Sequence, residues 1–241
     1  MSLQACANLV ARGDPRRFRA AMAAPLKARE ILLPLYAFNI EVSRAPWVTA
    51  EPMIAEMRLQ WWRDALEEVA EGRGRRLEVV DALGVLDADG AGQLDQLVAA
   101  RRWDIYKDAF EDESHFRDYL DFTGANLIEV GFCALGGAPD EDVLNLGYAS
   151  ALARFLVAVP ELEARGRIPL LDGRAEAVAK LAADALDAMP DRLPGRLPAR
   201  AAFFEVAGAR AILTRASRDP MAVAEGRLER SPVADRWALI R

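Results

Sequence analysis

The sequence predicts an all-α protein folded as a single domain of about eight helices. Three observations carry this. Apolar residues recur at three- and four-residue steps through most of the chain, and no stretch of useful length alternates with a two-residue period. Ala, Leu, Arg and Glu abound while β-branched residues are scarce, a composition that suits helix. The 241 residues are 52% apolar and 28% charged, with 16 Gly and 13 Pro, which allows a sizeable core and excludes a disordered, collagenous or low-complexity chain. No unit of about 20–50 residues repeats, so a helical solenoid is not expected.

The elements follow in order. A helix is predicted over residues 29–45, with Leu32, Leu33, Tyr36 and Ile40 on the helical period between Pro25 and Pro46. A second begins after Thr49 with Pro52 in its first turn, where a missing N–H costs nothing, and Ile54, Met57, Trp61 and Ala65 face one way. It ends at the Gly72–Gly74 break. Residues 76–86 form a short helix ended by 87–92, and residues 93–110 form the next, with Leu94, Leu97, Val98 and Ile105 inward. Ser114 is the expected N-cap of a helix that runs to about Leu135 and stops at Gly136-Gly137-Ala138-Pro139. A helix over 140–159 is ended by Pro160, and residues 166–173 form a loop. Helices then cover about 175–189 and 199–217, and a tail with Pro220, Pro232 and Trp237 forms a short helix and an extended end.

Charge and cysteine usage exclude several classes. With 31 Lys+Arg against 37 Asp+Glu the net charge is −6, so a nucleic-acid partner is not expected. Cys6 and Cys133 follow no metal spacing, and a single His115 argues against a His-ligated metal or a Ser-His-Asp triad. No segment has the roughly 18 uninterrupted apolar residues of a spanning helix. The N-terminus lacks a sustained apolar stretch ahead of a cleavage site, so no secretion signal is expected and the expected location is the cytoplasm. Residues 1–30 carry 6 basic and 2 acidic side chains, and 196–241 carry 9 and 5. These basic ends read as solvated helix faces, with an anionic membrane surface as the sharper alternative. The motifs GxxxxGK[ST], GxGxxG after a strand, HExxH and the EF-hand loop are absent.

Two segments are distinctive: Arg29-Glu-Ile-Leu-Leu-Pro-Leu-Tyr36-Ala-Phe38-Asn39-Ile-Glu41 and Met57-Arg58-Leu-Gln60-Trp61-Trp62-Arg63-Asp64-Ala-Leu66. Further along come Ala100-Arg101-Arg102-Trp103-Asp104, Tyr119 through Thr123-Gly124 to Leu135-Gly136, Gly147-Tyr-Ala149, Gly166-Arg167, and residues 198–203. This ordered set resembles the squalene/phytoene synthase family over nearly the whole chain. The resemblance implies an isoprenoid-synthase-like helical bundle around a central cavity. In that family two aspartate clusters on facing helices, each with Asp at i and i+4 on one helix face, hold Mg²⁺ against substrate diphosphate.

The chain departs from the family at those positions. Counting on from Phe38, the first cluster falls on Ser43, Arg44 and Trp47. Counting from Gly147 to Gly166-Arg167 without a gap, the second motif's Arg-Asp doublet falls on Val157-Ala158 and its later Asp on Leu162. Of the remaining carboxylates, Glu41 points off the Ser43 face, and Asn126/Glu129 and Asp118/Asp121 read as solvated or capping pairs. Glu161 and Glu163 lie beyond Pro160. The candidate cavity or ligand residues are Arg29, Tyr36, Phe38, Asn39, Glu41, Arg58, Trp61 and Arg167. Each has a plainer reading. Tyr36, Phe38 and Trp61-Trp62 can be packing, and Arg29, Arg58 and Arg63 can pair with Glu41, Glu56 or Asp64. Asn39 and Glu41, polar on an apolar helix, suggest an internal network.

Ala-Phe-Asn-Ile-Glu and Met-Arg-Leu-Gln-Trp-Trp look most like the family's branch of respiratory complex I assembly factors. That resemblance implies a non-catalytic binding or assembly protein. It would take an apolar, prenyl- or lipid-like ligand, a protein partner, or a peripheral contact with the inner membrane, and no cofactor. The alternative is an active prenyl transferase that holds Mg²⁺ with atypical carboxylates. An unrelated helical interaction domain ranks below both.

Overall fold

The computed structural model describes residues 3–73 and 78–229. The expected start of a helix at Arg76 and the Pro232 and Trp237 end of the tail lie outside them. The described residues form helices and no strand. Two helices precede the first one expected, α1 (Leu3–Gly13) and α2 (Pro15–Ala23). Asp14 caps α2 by accepting from the Arg17 N–H at 3.0 Å, and Pro15 occupies the first turn. This Asp-Pro pair is the local signal that sets the start of α2.

The helix α3 (Leu26–Arg44) runs through the middle of the bundle, and every residue from Leu32 to Ile40 is buried. Pro46 ends it in a tight turn, Ala45–Trp47. The helix α4 (Pro52–Ala70) packs mainly on α6 (Ala88–Ala100), after a short α5 (Glu78–Ala82). Its core face is Ala55, Leu59, Trp62, Ala65, Leu66 and Val69. Of the apolar stripe Ile54, Met57, Trp61 and Ala65 only Ala65 is buried; Ile54 and Met57 are 40% and 66% exposed. The two faces of α4 carry similar periodicity, and the neighbouring α6 selects the other one.

Three boundaries are corrected by capping geometry. Asp87 begins α6 by accepting from the Gly90 N–H at 2.9 Å, so a stretch read as a helix end is a helix start. That helix stops at Ala100, ten residues before the predicted end, where Arg101–Asp104 tightens into a separate turn. Asp112, not Ser114, caps α7 (Glu113–Leu120) through the His115 N–H at 2.8 Å. A wide π-type turn, Asp121–Ala125, joins α7 to α8 (Asn126–Ala134).

The helix α9 (Glu141–Ala164) is buried over most of its length, with every residue from Leu146 to Ala153 in the core. It is long and apolar enough to cross a membrane by length and composition, yet most of that span is inside the bundle. Pro160 does not end it. The helix continues to Ala164, and just past its end Gly166, at φ +77°, lets the Gly166 and Arg167 N–H groups bond back to Glu163 and Leu162. Close approach of α9 to the π-type turn depends on small residues. A Cβ on Gly124 would sit 2.5 Å from the Ala151 Cβ, and one on Gly147 would sit 2.9 Å from the Ala125 Cβ. Last come α10 (Ala175–Asp187), a tight helical stretch Ala199–Val206, α11 (Ala209–Arg218) and α12 (Met221–Ala224). Gly208, at φ +94°, splits what was expected to be one helix over 199–217.

Candidate functional site

The centre of the bundle holds charges that the sequence reading did not single out. Arg17 of α2 donates through Nε to Glu205, in the 199–206 stretch. Arg154 of α9 donates to the same Glu205 oxygen at 3.2 Å and to Asp14 at 3.1 Å. Two guanidinium groups therefore face two carboxylates, and the Glu205 side chain is fully buried. Burial alone would push the Asp14 carboxyl up, but Arg154 and Arg17 outweigh it and hold it down at about 2. The Arg17 guanidinium lies 5.4 Å from the Tyr36 ring centre. Burial, reinforced by Glu205, raises the Tyr36 phenol far above its usual range, and its hydroxyl has no hydrogen-bond partner among the described residues. A lone arginine in an apolar run on α9, and a lone glutamate between Phe204 and Val206, were the available signals.

A second buried network lies at the Trp103 turn. Asp104 accepts from Arg101 at 3.1 Å and from the Tyr119 hydroxyl at 3.0 Å. Arg167 donates to the Trp103 and Asp104 carbonyls and lies over Trp47 (5.1 Å) and Trp103 (5.6 Å). Arg165 covers the Trp47 ring at 4.7 Å. Arg167 is thus a buried strut between two indoles.

The other candidate residues divide between core and surface. Tyr36 and Phe38 are core, with Phe38 edge-on to Trp62 at 5.3 Å. Arg29 donates to the Ala24 and Met22 carbonyls and so closes the end of α2. Arg63 pairs with Asp95 at 2.7 Å, and Glu56 accepts from Arg102, so the expected pairings among Arg29, Arg58, Arg63 and Glu41, Glu56, Asp64 do not form. Nor does the expected Asn39–Glu41 network. Asn39 is buried with its carbonyl oxygen unpartnered, while Glu41 is half-buried beside an open groove. Ser43 bonds the Ile40 carbonyl at 3.1 Å, and Val157 and Leu162 pack half-buried against the core. Ala158 is half-buried and Arg44 exposed. Glu129 accepts from Gln93, and Asp121 is paired with Arg117.

Glu41, Arg58 and Trp61 do come together. With Arg44, Ala45, Val48, Ile54, Met57 and Trp62 they line an open groove of about 620 Å³ between the end of α3 and the first half of α4. Its floor is apolar and aromatic. Arg44 and Arg58 stand on opposite walls, each without an ion pair among the described residues.

The comparisons agree with this architecture. A dehydrosqualene synthase, solved in complex with a ligand, superposes with a TM-score of 0.80 at 15% identity, over 99% of this chain and 94% of that one. The squalene synthase HpnC from Alicyclobacillus acidocaldarius superposes with a TM-score of 0.69 at 19% identity, over 91% and 94%. At these identities the likeness is one of fold. A Drosophila melanogaster protein described as a homolog of NADH dehydrogenase (ubiquinone) complex I assembly factor 6 is 28% identical over 179 residues. That match takes in 69% of this chain and 53% of the relative, so the chain spans about half of that protein's length. The family model for squalene/phytoene synthase matches residues 10–171, and the chain belongs to that family.

Proposed function

We propose that this chain is a non-catalytic member of the squalene/phytoene synthase family that acts by binding, as an assembly protein. One observation carries the reading. Counted on from Phe38 and from Gly147, the family's two metal-binding motifs fall on Ser43, Arg44, Trp47, Val157, Ala158 and Leu162, and none of these has a carboxylate. Magnesium takes oxygen ligands at about 2.0–2.1 Å and is usually held by carboxylates. Among the described residues no group of three or more His, Cys, Asp or Glu side chains could hold a metal. The buried carboxylates Asp14, Glu205 and Asp104 already bind arginines. These residues do not fit a magnesium–diphosphate cage. Likeness to a protein described as a complex I assembly factor homolog supports the assembly role, with a protein as the partner.

The test is direct. The chain is incubated with Mg²⁺ and farnesyl or geranylgeranyl diphosphate, and pyrophosphate release is measured beside a melting curve with Mg²⁺ and a non-hydrolysable analogue. No release and no metal-dependent stabilisation are expected. Release that disappears in Glu41→Gln or Glu129→Gln would establish a transferase with atypical carboxylates instead.

A further inference from the structure

We propose that the groove between α3 and α4 is a docking site for an amphipathic helix of a partner protein, one whose apolar stripe is flanked by carboxylates. The inference rests on the binding role above and gives it a surface and a partner chemistry. It starts from α4, a helix with two apolar faces. One face, from Ala55 to Val69, is buried inside the bundle. The other carries Ile54, Met57 and Trp61 at i, i+3 and i+7, the spacing with which one helix packs on another. Ile54 and Met57 are 40% and 66% exposed, and across the groove Val48 is 50% exposed. An apolar stripe at helical spacing, left open to water, is what a helical partner covers.

The shape favours a helix over a flat surface. The apolar side chains line a concave trough between two walls, which accepts inserted side chains. A bilayer would instead meet the rims first. Trp61 and Trp62, edge-on at 5.0 Å, give the floor a rigid aromatic anchor, and Met57 is an adaptable one. Charge then narrows the partner. The charged lining is two unpaired guanidinium groups, Arg44 and Arg58, against one carboxylate, Glu41. The groove is net positive in a chain of net charge −6, and it complements acidic flanks on the incoming helix.

The experiment selects binders for the full chain from a library of helix-stapled peptides with randomised faces. The affinities of the selected peptides are then read from the intrinsic tryptophan fluorescence. Winning sequences should carry large apolar residues at i, i+3 or i+4, and i+7, with Asp or Glu on both flanks. Met57→Asp should weaken them by about tenfold or more, and so should the double variant Arg44→Glu/Arg58→Glu. The double variant should instead prefer the same peptides with Lys flanks. All three positions are surface ones, so melting curves should confirm unchanged folding.

Winners without acidic flanks, or winners indifferent to Met57→Asp, overturn the proposal. So does Met57-dependent binding of mixed phosphatidylcholine–phosphatidylglycerol vesicles in the absence of peptide binding, or self-association through this face in sedimentation. The pyrophosphate assay separates the two claims. Turnover together with peptide docking sinks the non-catalytic reading alone, whereas no turnover and no docking sinks the groove alone.

Discussion

Glu205→Gln isolates the central ion network. The substitution keeps the shape of the side chain and removes one negative charge from between Arg17 and Arg154. The two arginines respond differently. Arg154 keeps Asp14 at 3.1 Å and its side chain is 28% exposed, so it can relax toward water. Arg17 is 6% exposed and cannot. Its remaining carboxylate, Asp14, is 3.8 Å away. Breaking a buried pair from one side costs about 3–5 kcal/mol, because the other charge stays desolvated. Since one partner can relax, the lower end applies, about 3 kcal/mol. For a chain of this size that is a fall in melting temperature of about 6–12 °C. Far-UV circular dichroism during thermal and urea unfolding measures it. The double variant Arg17→Met/Glu205→Gln removes both charges and should recover at least about 2 kcal/mol relative to the sum of the two single changes. A Glu205→Gln chain within about 1 kcal/mol of the parent would refute the reasoning, since a pair worth so little is a solvated one.

The same packing and charge arrangement sets three further outcomes. The Asp14 carboxyl, held at about 2 against an ordinary 3.8, contributes stability that is present above about pH 4 and is lost as the pH falls toward 2; the loss is about 2 kcal/mol, and Asp14→Asn should flatten it in urea titrations across that range. Gly124→Val places a side chain 2.5 Å from the Ala151 Cβ, which should cost about 1–3 kcal/mol, with partial recovery in Gly124→Val/Ala151→Gly; equal costs in both chains would show that the crossing is loose. Tyr36→Phe removes a buried hydroxyl that has no partner; it should leave urea stability unchanged or raise it by up to about 1 kcal/mol, and a clear loss would mean that the hydroxyl is bonded.

Helix positions and family membership were legible because they rest on local patterns. Pro46 stops α3, Pro52 opens α4, and Gly136-Gly137 follows α8, as the residue types require. Errors arose where one residue type serves two purposes. Asp87 can sit in a loop or cap a helix, and Pro160 can end a helix or lie within one. The candidate site was only partly legible. Glu41, Arg58 and Trp61 were singled out separately, and their convergence in one groove appears only when α4 is set against the end of α3.

The order of residues alone therefore determined an all-α chain and its family, since each depends on patterns within single segments. Tertiary structure alone decided which stripe of α4 is buried and that Arg17 meets Glu205 across 188 residues of chain. The physical reason is that burial and charge pairing depend on what lies opposite in space, and neither helical periodicity nor composition encodes the neighbour.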